Sequence, residues 1–388
     1  MKSHGTVVFL ALGVSLFALG CSDSTSSGPD PQPQGLNTEL LDSLFTNFAP
    51  QYNLTDEPTT VLGHAARVTV SGEEPWERSF GTVDSLGSGA VNMSSIFRIG
   101  STTKVFTATA ILQLWEAGLI DLDSSFNYYL ALDPVTYPKI SDFSEVTVRH
   151  LLSHRSGLPY LSSTAFFDQH EYTDSIGQLE RMSFLFAEGE PEFAPGEQYA
   201  YRNSNFSVLG MVIESVTGKA YHEVLDESIF APLGLTNTYV LDYGFSGDDP
   251  RMAHGYTSTF DGTHYHGTQA WAGGGMVSTV RDLSVFMRAL VDGDLFQRQS
   301  TFDMMVSPVP GSYYGFGMFI TGHFGGPSYG HGGAIFGYNT KLEYFTDVDA
   351  IVASTMSFNG YDFVVVNWQD DFCDRVIAEV RRARAEAP

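Results

Sequence analysis

Phe97-Arg98-Ile99-Gly100-Ser101-Thr102-Thr103-Lys104 is the stretch on which the reading of this chain turns. A turn-prone glycine precedes a serine, and apolar residues then recur at Val105, Phe106, Ala108, Ile111, Leu112, Leu114 and Trp115. This spacing predicts an amphipathic helix opening at Ser101 and stopping near Gly118, a residue type suited to the left-handed C-terminal position. Ser101 and Lys104 then stand one turn apart on one face, so the lysine nitrogen approaches the serine hydroxyl. The Ser101 amide, among the first of the helix, has no intrahelical partner and is free to bind an anion forming beside the nucleophile. Alone, a Ser-x-x-Lys pair reads equally as a capping serine and a solvated lysine. The rest of the chain has to decide.

Working outward, Asn37 to Phe48 reads as a short helix, with Leu41, Leu44, Phe45 and Phe48 on one side. Thr60 to Val70 is rich in β-branched residues and predicts a strand, with a second around Trp76 to Thr82. Thr147 to His154 predicts a helix stopped by Ser156-Gly157-Leu158-Pro159, and Phe206 to Val216 a buried helix closed by Thr217-Gly218. Ser278 to Val291 again has helical periodicity, with Asp282 in its first turn. Tyr313 to Phe319, Gly333 to Tyr344 and Ala350 to Met356 read as short strands between glycine-rich turns, before a last helix from about Phe363 to Arg384. Strands at both ends with helices between predict an α+β fold. Its sheet is mixed and mainly antiparallel, flanked by terminal helices, with a mostly helical insertion over roughly 105–270.

The chain has 388 residues, 43% of them hydrophobic, enough for a full core. A formal net charge of −25 argues against nucleic-acid binding and against docking on anionic lipid through basic patches. Near the start, Lys2 and His4 precede the apolar run Val7 to Gly20 and then Cys21. That run is short for a membrane span and matches the core of a secretory signal. Ala18-Leu19-Gly20-Cys21 resembles a bacterial lipoprotein cleavage site, so residues 1–21 are expected to be a signal peptide and Cys21 the lipidated residue, holding an exported protein at the cell envelope. Residues 22–36, polar and Ser/Pro-rich, read as a tether, and 37–388 as the folded domain. Beyond the tether only Cys373 remains, expected to be structural.

Two further motifs carry chemistry. In Tyr199-Ala200-Tyr201-Arg202-Asn203-Ser204-Asn205, a locally extended backbone projects Tyr201 and Asn203 to one side and Arg202 to the other. That suits Tyr201 to acid/base work and Asn203 to positioning; a surface turn is the bland alternative. Gly330-His331-Gly332-Gly333-Ala334 precedes an apolar strand; its glycines let backbone approach a ligand, and His331 offers a positive or hydrogen-bonding group.

Ser101-x-x-Lys104, Tyr201-x-Asn203 and His331-x-Gly333 occur in this order, together with Leu151 to Pro159, Pro195 to Phe206 and Gly273 to Phe286. This resembles the serine β-lactamase-like superfamily of class C β-lactamases, D-alanyl-D-alanine carboxypeptidases and related esterases, over essentially Asn37 to the C-terminus. The resemblance implies a β-lactamase/transpeptidase-like fold and a Ser101 acyl-enzyme. Lys104 either favours a tyrosinate at Tyr201 or takes the serine proton itself, and Tyr201 serves the leaving group and deacylation. Asn203, His331 and Gly333 would contact substrate, and the amides of Ser101 and Ala334 would form the oxyanion hole. Gly332 stands where many relatives carry a hydroxyl that binds a substrate carboxylate, which raises the prospect of an ester. The substrate is expected to be a small ester or amide, a β-lactam or a peptidoglycan-type peptide, with no metal or cofactor. The alternative from another class is a non-catalytic wall-binding or scaffold lipoprotein. His150 and His154, four apart, match the family's structural helix, and His264 and His266 read as a solvated pair.

Overall fold

The computed structural model describes residues 37–48, 60–159, 189–321, 325–359 and 367–386, with parts of 171–186. The expected signal peptide, the tether, Cys21 and most of the stretch from Leu161 lie outside the described residues. Six strands form one antiparallel sheet: β1 (Thr60–Val70), β2 (Trp76–Gly81), β6 (Phe319–Thr321), β7 (Ser328–Ile335), β8 (Tyr338–Phe345) and β9 (Ala350–Asn359), in the order β2-β1-β9-β8-β7-β6. Each strand alternates its side chains between two cores. On one face Ala66, Val68 and Val70 meet helix α1 (Thr38–Phe48), through Leu41 and Phe45, and the carboxy-terminal helix (Asn367–Glu386), through Phe372, Val376 and Val380. Burying a side chain such as Phe45 contributes about 1.5–3 kcal/mol, so this layer fixes the back of the sheet.

The other face packs on a larger, mostly helical layer. Its centre is α2 (Thr103–Glu116), in which every residue from Thr103 to Leu112 is buried. The expected amphipathic helix is thus enclosed over this span, and its threonines satisfy their hydroxyls on carbonyls near and far: Thr107 donates to that of Ala272 at 2.7 Å and Thr109 to that of Val105 at 2.8 Å. Gly118, at φ +74°, follows its end. The helix starts at Thr103 rather than Ser101, because Gly100–Thr102 form a tighter 3-10 turn.

That turn hangs between two sheets. It follows β3 (Phe97–Arg98), which pairs with β5 (Met276–Ser278), itself paired with β4 (Tyr239–Val240). Ser278 is therefore strand, and the following helix (Val280–Asp292) opens under a Thr279 cap. Three sequence expectations along the large sheet shift. Gly330–Ala334 lies inside β7 and does not precede a strand, and Gly333 to Tyr344 is a hairpin turning at Phe336-Gly337. Of Tyr313 to Phe319, only Phe319 enters a strand.

Candidate active site

Gly100 takes φ +49°, a value that favours glycine, and turns the chain sharply so that Ser101 stands at the mouth of α2. Three residues on, Lys104 is fully buried. Its Nζ reaches Ser101 Oγ at 3.1 Å, Asn203 Oδ1 at 2.8 Å and the Gly273 carbonyl at 2.6 Å, and lies over the Tyr201 ring at 4.9 Å. These hydrogen-bond partners are all neutral, so burial alone pushes the Lys104 pKa well below that of a free lysine. A neutral amine has two N–H bonds and one lone pair. As an ammonium Lys104 donates to all three; as a neutral amine it would spend its two N–H bonds on the two carbonyl-type acceptors and turn its lone pair to the Ser101 hydroxyl.

Each partner of Lys104 is placed by a separate device. Asn203 is the first residue of the helix Asn203–Thr217, and Arg202 before it is extended (φ −138°, ψ 123°), so Tyr201 and Asn203 share a side. Arg202 turns to the other side and pairs with Glu192 at 2.5 Å. Gly273 belongs to a kinked helix, Gly267–Gly274, broken at Trp271 with φ 35° and ψ −126°. Trp271 is buried against Gly210, where a Cβ would stand 2.6 Å from the indole. Such left-handed strain in a bulky residue persists only when packing imposes it. Next to the break, the Gly273 carbonyl accepts from the lysine.

Tyr201 is half-buried with its hydroxyl enclosed, and desolvation pushes its phenol up, against which Ser101 works. Among the described residues no aligned hydrogen bond satisfies that hydroxyl. The loop carrying it is clamped by His154, which the sequence presents only as part of a structural helix. The His154 carbonyl accepts from Ala200 N at 2.9 Å, while Nδ1 accepts from Arg202 N at 3.2 Å and lies 2.9 Å from Asn205 Nδ2. Accepting at Nδ1 places the ring proton on Nε2, and burial above all holds the imidazole neutral. His154 itself sits at φ 55°, directly after the short helix Val148–Leu152.

The third segment is β7. Phe336-Gly337 is a two-residue turn, so Ile335 and Tyr338 close the hairpin as a hydrogen-bonded pair and Ala334 and Asn339 are the next, non-bonded pair. The Ala334 N–H therefore points away from β8, toward the serine turn. A Cβ on Gly100 would stand 2.9 Å from Ala334 N, and one on Gly333 only 1.8 Å from the Ile99 carbonyl oxygen. Gly333, expected at the substrate, is thus pressed against protein backbone, where it brings the strand and the turn together. His331 is buried and neutral, its pKa lowered to about 3 chiefly by burial; its Nε2 lies 3.2 Å from the Tyr314 hydroxyl. It offers a hydrogen-bonding ring and no positive charge.

Gly332 faces the other way. A Cβ there would meet only the Thr340 carbonyl, at 3.7 Å. It borders a cavity of about 290 Å³ whose wall also holds Lys341, Glu343, Asp370 and Asp374. Lys341 pairs with Asp370 at 3.0 Å and Glu343 at 3.7 Å, which leaves the surroundings acidic on balance. Elsewhere, His150 closes a capping box with Thr147, and Cys373 is buried with its thiol pushed up by desolvation. His264 and His266 do not form a pair: His266 caps the kinked helix and faces Asp242 at 3.5 Å, whereas His264 turns toward Asp261.

A profile of the Beta-lactamase family matches residues 53–370. Among curated proteins, "Penicillin-binding protein 4*" of Bacillus subtilis (strain 168) is 27% identical over 303 residues, 71% of this chain and 64% of that one. Esterase EstB of Burkholderia gladioli is 31% identical over 199 residues, 49% of this chain and 48% of that one. The chain thus spans about half to two thirds of these relatives' lengths. Among solved structures, D-amino acid amidase from Ochrobactrum anthropi SV3, complexed with L-phenylalanine, superposes with a TM-score of 0.73 at 27% identity, covering 89% of this chain and 99% of that one.

Proposed function

The chain belongs to the Beta-lactamase family, and on that footing we propose that it is a serine hydrolase which forms an acyl-enzyme on Ser101 from a small ester or amide. The observation that carries this reading is the placement of Lys104, buried with its Nζ held by Asn203 Oδ1 and the Gly273 carbonyl and 3.1 Å from Ser101 Oγ, its pKa pushed well down by burial. Lys104 takes the Ser101 proton as Oγ attacks the carbonyl carbon. The developing oxyanion is received by the amides of Ser101 and Ala334, each donor being worth about 3 kcal/mol in comparable hydrolases. Tyr201, kept protonated by burial, gives its proton to the leaving group, and the proton taken from Ser101 by Lys104, whose Nζ lies 4.9 Å from the centre of the Tyr201 ring, makes good that loss as the two groups come within hydrogen-bond reach. Water then attacks the acyl carbon and gives a proton to the same pair, the acyl–Oγ bond breaks, and the pair returns that proton to Ser101 Oγ as the acid leaves. Between the two routes open in the sequence, a low lysine and a high tyrosine pKa favour neutral lysine over tyrosinate.

For the substrate, the acidic wall beside Gly332 disfavours a carboxylate there. We therefore place uncharged or amine-bearing esters and amides ahead of β-lactams and D-Ala-D-Ala peptides. Intact mass after a fluorophosphonate, a cephalosporin and a nitrophenyl ester tests the reading: one adduct on the parent and none on Ser101→Ala is expected. No adduct and no turnover in folded protein, with peptidoglycan binding that survives Ser101→Ala, would instead establish the non-catalytic scaffold. Export and anchoring through Cys21 belong to the same proposal; membrane fractionation of the parent against Cys21→Ser checks it, since retention of the variant at the membrane would remove the lipid from the account. No helix among the described residues is long and apolar enough to cross a membrane.

A further inference from the structure

Away from Ser101, the loop 254–264 gathers three side chains, His254, Asp261 and His264, that the proposed chemistry does not use. It is a tight hairpin: Thr257 N donates to the Phe260 carbonyl at 2.9 Å and Gly255 N to Thr263 Oγ1 at 3.1 Å. Asp261 caps the 3-10 turn Gly262–His264, its Oδ1 accepting from Thr263 N at 2.9 Å, which brings His264 round to the same side. Asp261 Oδ2 is left facing two imidazoles, His254 Nδ1 at 3.5 Å and His264 Nε2 at 3.7 Å.

Both separations are long for hydrogen bonds, which cluster near 2.9–3.0 Å for N–H donors to oxygen. Among the described residues His254 Nδ1 is buried without an aligned hydrogen-bond partner. A tetrahedral zinc ion holds nitrogen and carboxylate oxygen at roughly 2.0–2.2 Å, and neighbouring ligands of such a tetrahedron are roughly 3.4 Å apart. The three donor atoms all lie within 4.8 Å of one another. We propose that His254, Asp261 and His264 form a binding site for a divalent transition metal ion of the zinc type, with a fourth position open to water.

Three further features fit this site. The remaining carboxylate oxygen is already engaged by backbone, the outer-shell support that orients a ligating carboxylate. The loop is held in advance: buried Arg98 donates to the Gly262 carbonyl at 2.9 Å, and Tyr338 donates to Thr263 Oγ1 at 2.9 Å. Asp84 and Asp248 add to the negative field at His254, which Asp261 dominates. The loop also packs on the β7–β8 turn, where a Cβ on Gly262 would stand 2.3 Å from the Phe336 carbonyl oxygen. The ion would thus brace the turn that follows Ala334, a structural role rather than a place in the reaction.

The test uses the full chain, freed of metal with a chelator, at pH 7.5. Calorimetric titration with zinc chloride should give one equivalent bound, and zinc should raise the melting temperature relative to chelator. His264→Ala and Asp261→Asn should weaken binding at least tenfold and lose the zinc-dependent rise. Both should keep the parent's metal-free melting temperature, since the asparagine retains the capping oxygen. Absence of stoichiometric binding to the parent, or binding as tight to both variants as to the parent, would overturn the proposal.

Discussion

Tyr201 allows chemical and structural roles to be separated by one atom. Its hydroxyl is buried without an aligned partner, a burden of about 1–3 kcal/mol for an unsatisfied group, while its ring packs 4.2 Å from that of His154. Tyr201→Phe keeps the ring and removes the burden. The melting temperature should therefore hold or rise slightly, while kcat falls about 10²–10⁴-fold, the usual worth of a positioned acid/base. A loss of stability matching the loss of activity would make the hydroxyl structural. At this scale much was legible in the sequence. Three-residue spacing on a helix brings Ser101 and Lys104 together, and strand-like alternation sends Arg202 away from Tyr201 and Asn203. The Gly273 carbonyl and the His154 clamp were not legible. Both are backbone groups or ring nitrogens placed by distant packing, and no residue type advertises them.

At the scale of elements, β7 carries adjacent glycines with opposite surroundings. Gly333→Ala would drive its Cβ into the Ile99 carbonyl, so the strand and the serine turn must part; overpacking of this kind costs about 1–3 kcal/mol. Because the Ala334 amide moves with the strand, acylation should fall by more than tenfold even in folded protein. Gly332→Ala, with open space beyond, should leave both the melting temperature and the acylation rate close to the parent's. Equal effects in the two variants would sever β7 from the oxyanion hole. The same glycines hide the strand in the sequence: they have weak strand propensity, and GHGGA has the composition of a turn. What makes it a strand is the ladder to β8, a tertiary fact.

Across the molecule, the described residues include three buried histidines in two layers: His64 stacked on Phe45 behind the sheet, and His154 and His331 at the site. Burial lowers His64 and His331 to about 3 and His154 well below 6.5. In the unfolded chain all three take up protons near pH 6.5, while the native ones do not. The stability they allow is thus complete above that pH and is lost as pH falls toward 3, by about 1.4 kcal/mol per unit for each. His254, raised by Asp261, acts in the opposite sense and offsets part of this. Denaturant midpoints should drop between pH 7 and 5, before most carboxylates titrate; a flat profile would contradict neutral burial. The α+β architecture itself was readable from β-branched runs and helical periods, β1 to the residue, because those patterns are local. The site is not local. Lys104 meets Asn203 across 99 residues and Gly273 across 169, and Thr102 reaches the His331 carbonyl across 229. Contacts that close such long loops bear the largest entropic penalty and are completed late in folding. Helices can therefore be present while the serine is still without its lysine's other partners, and turnover becomes a report on the last loops to close.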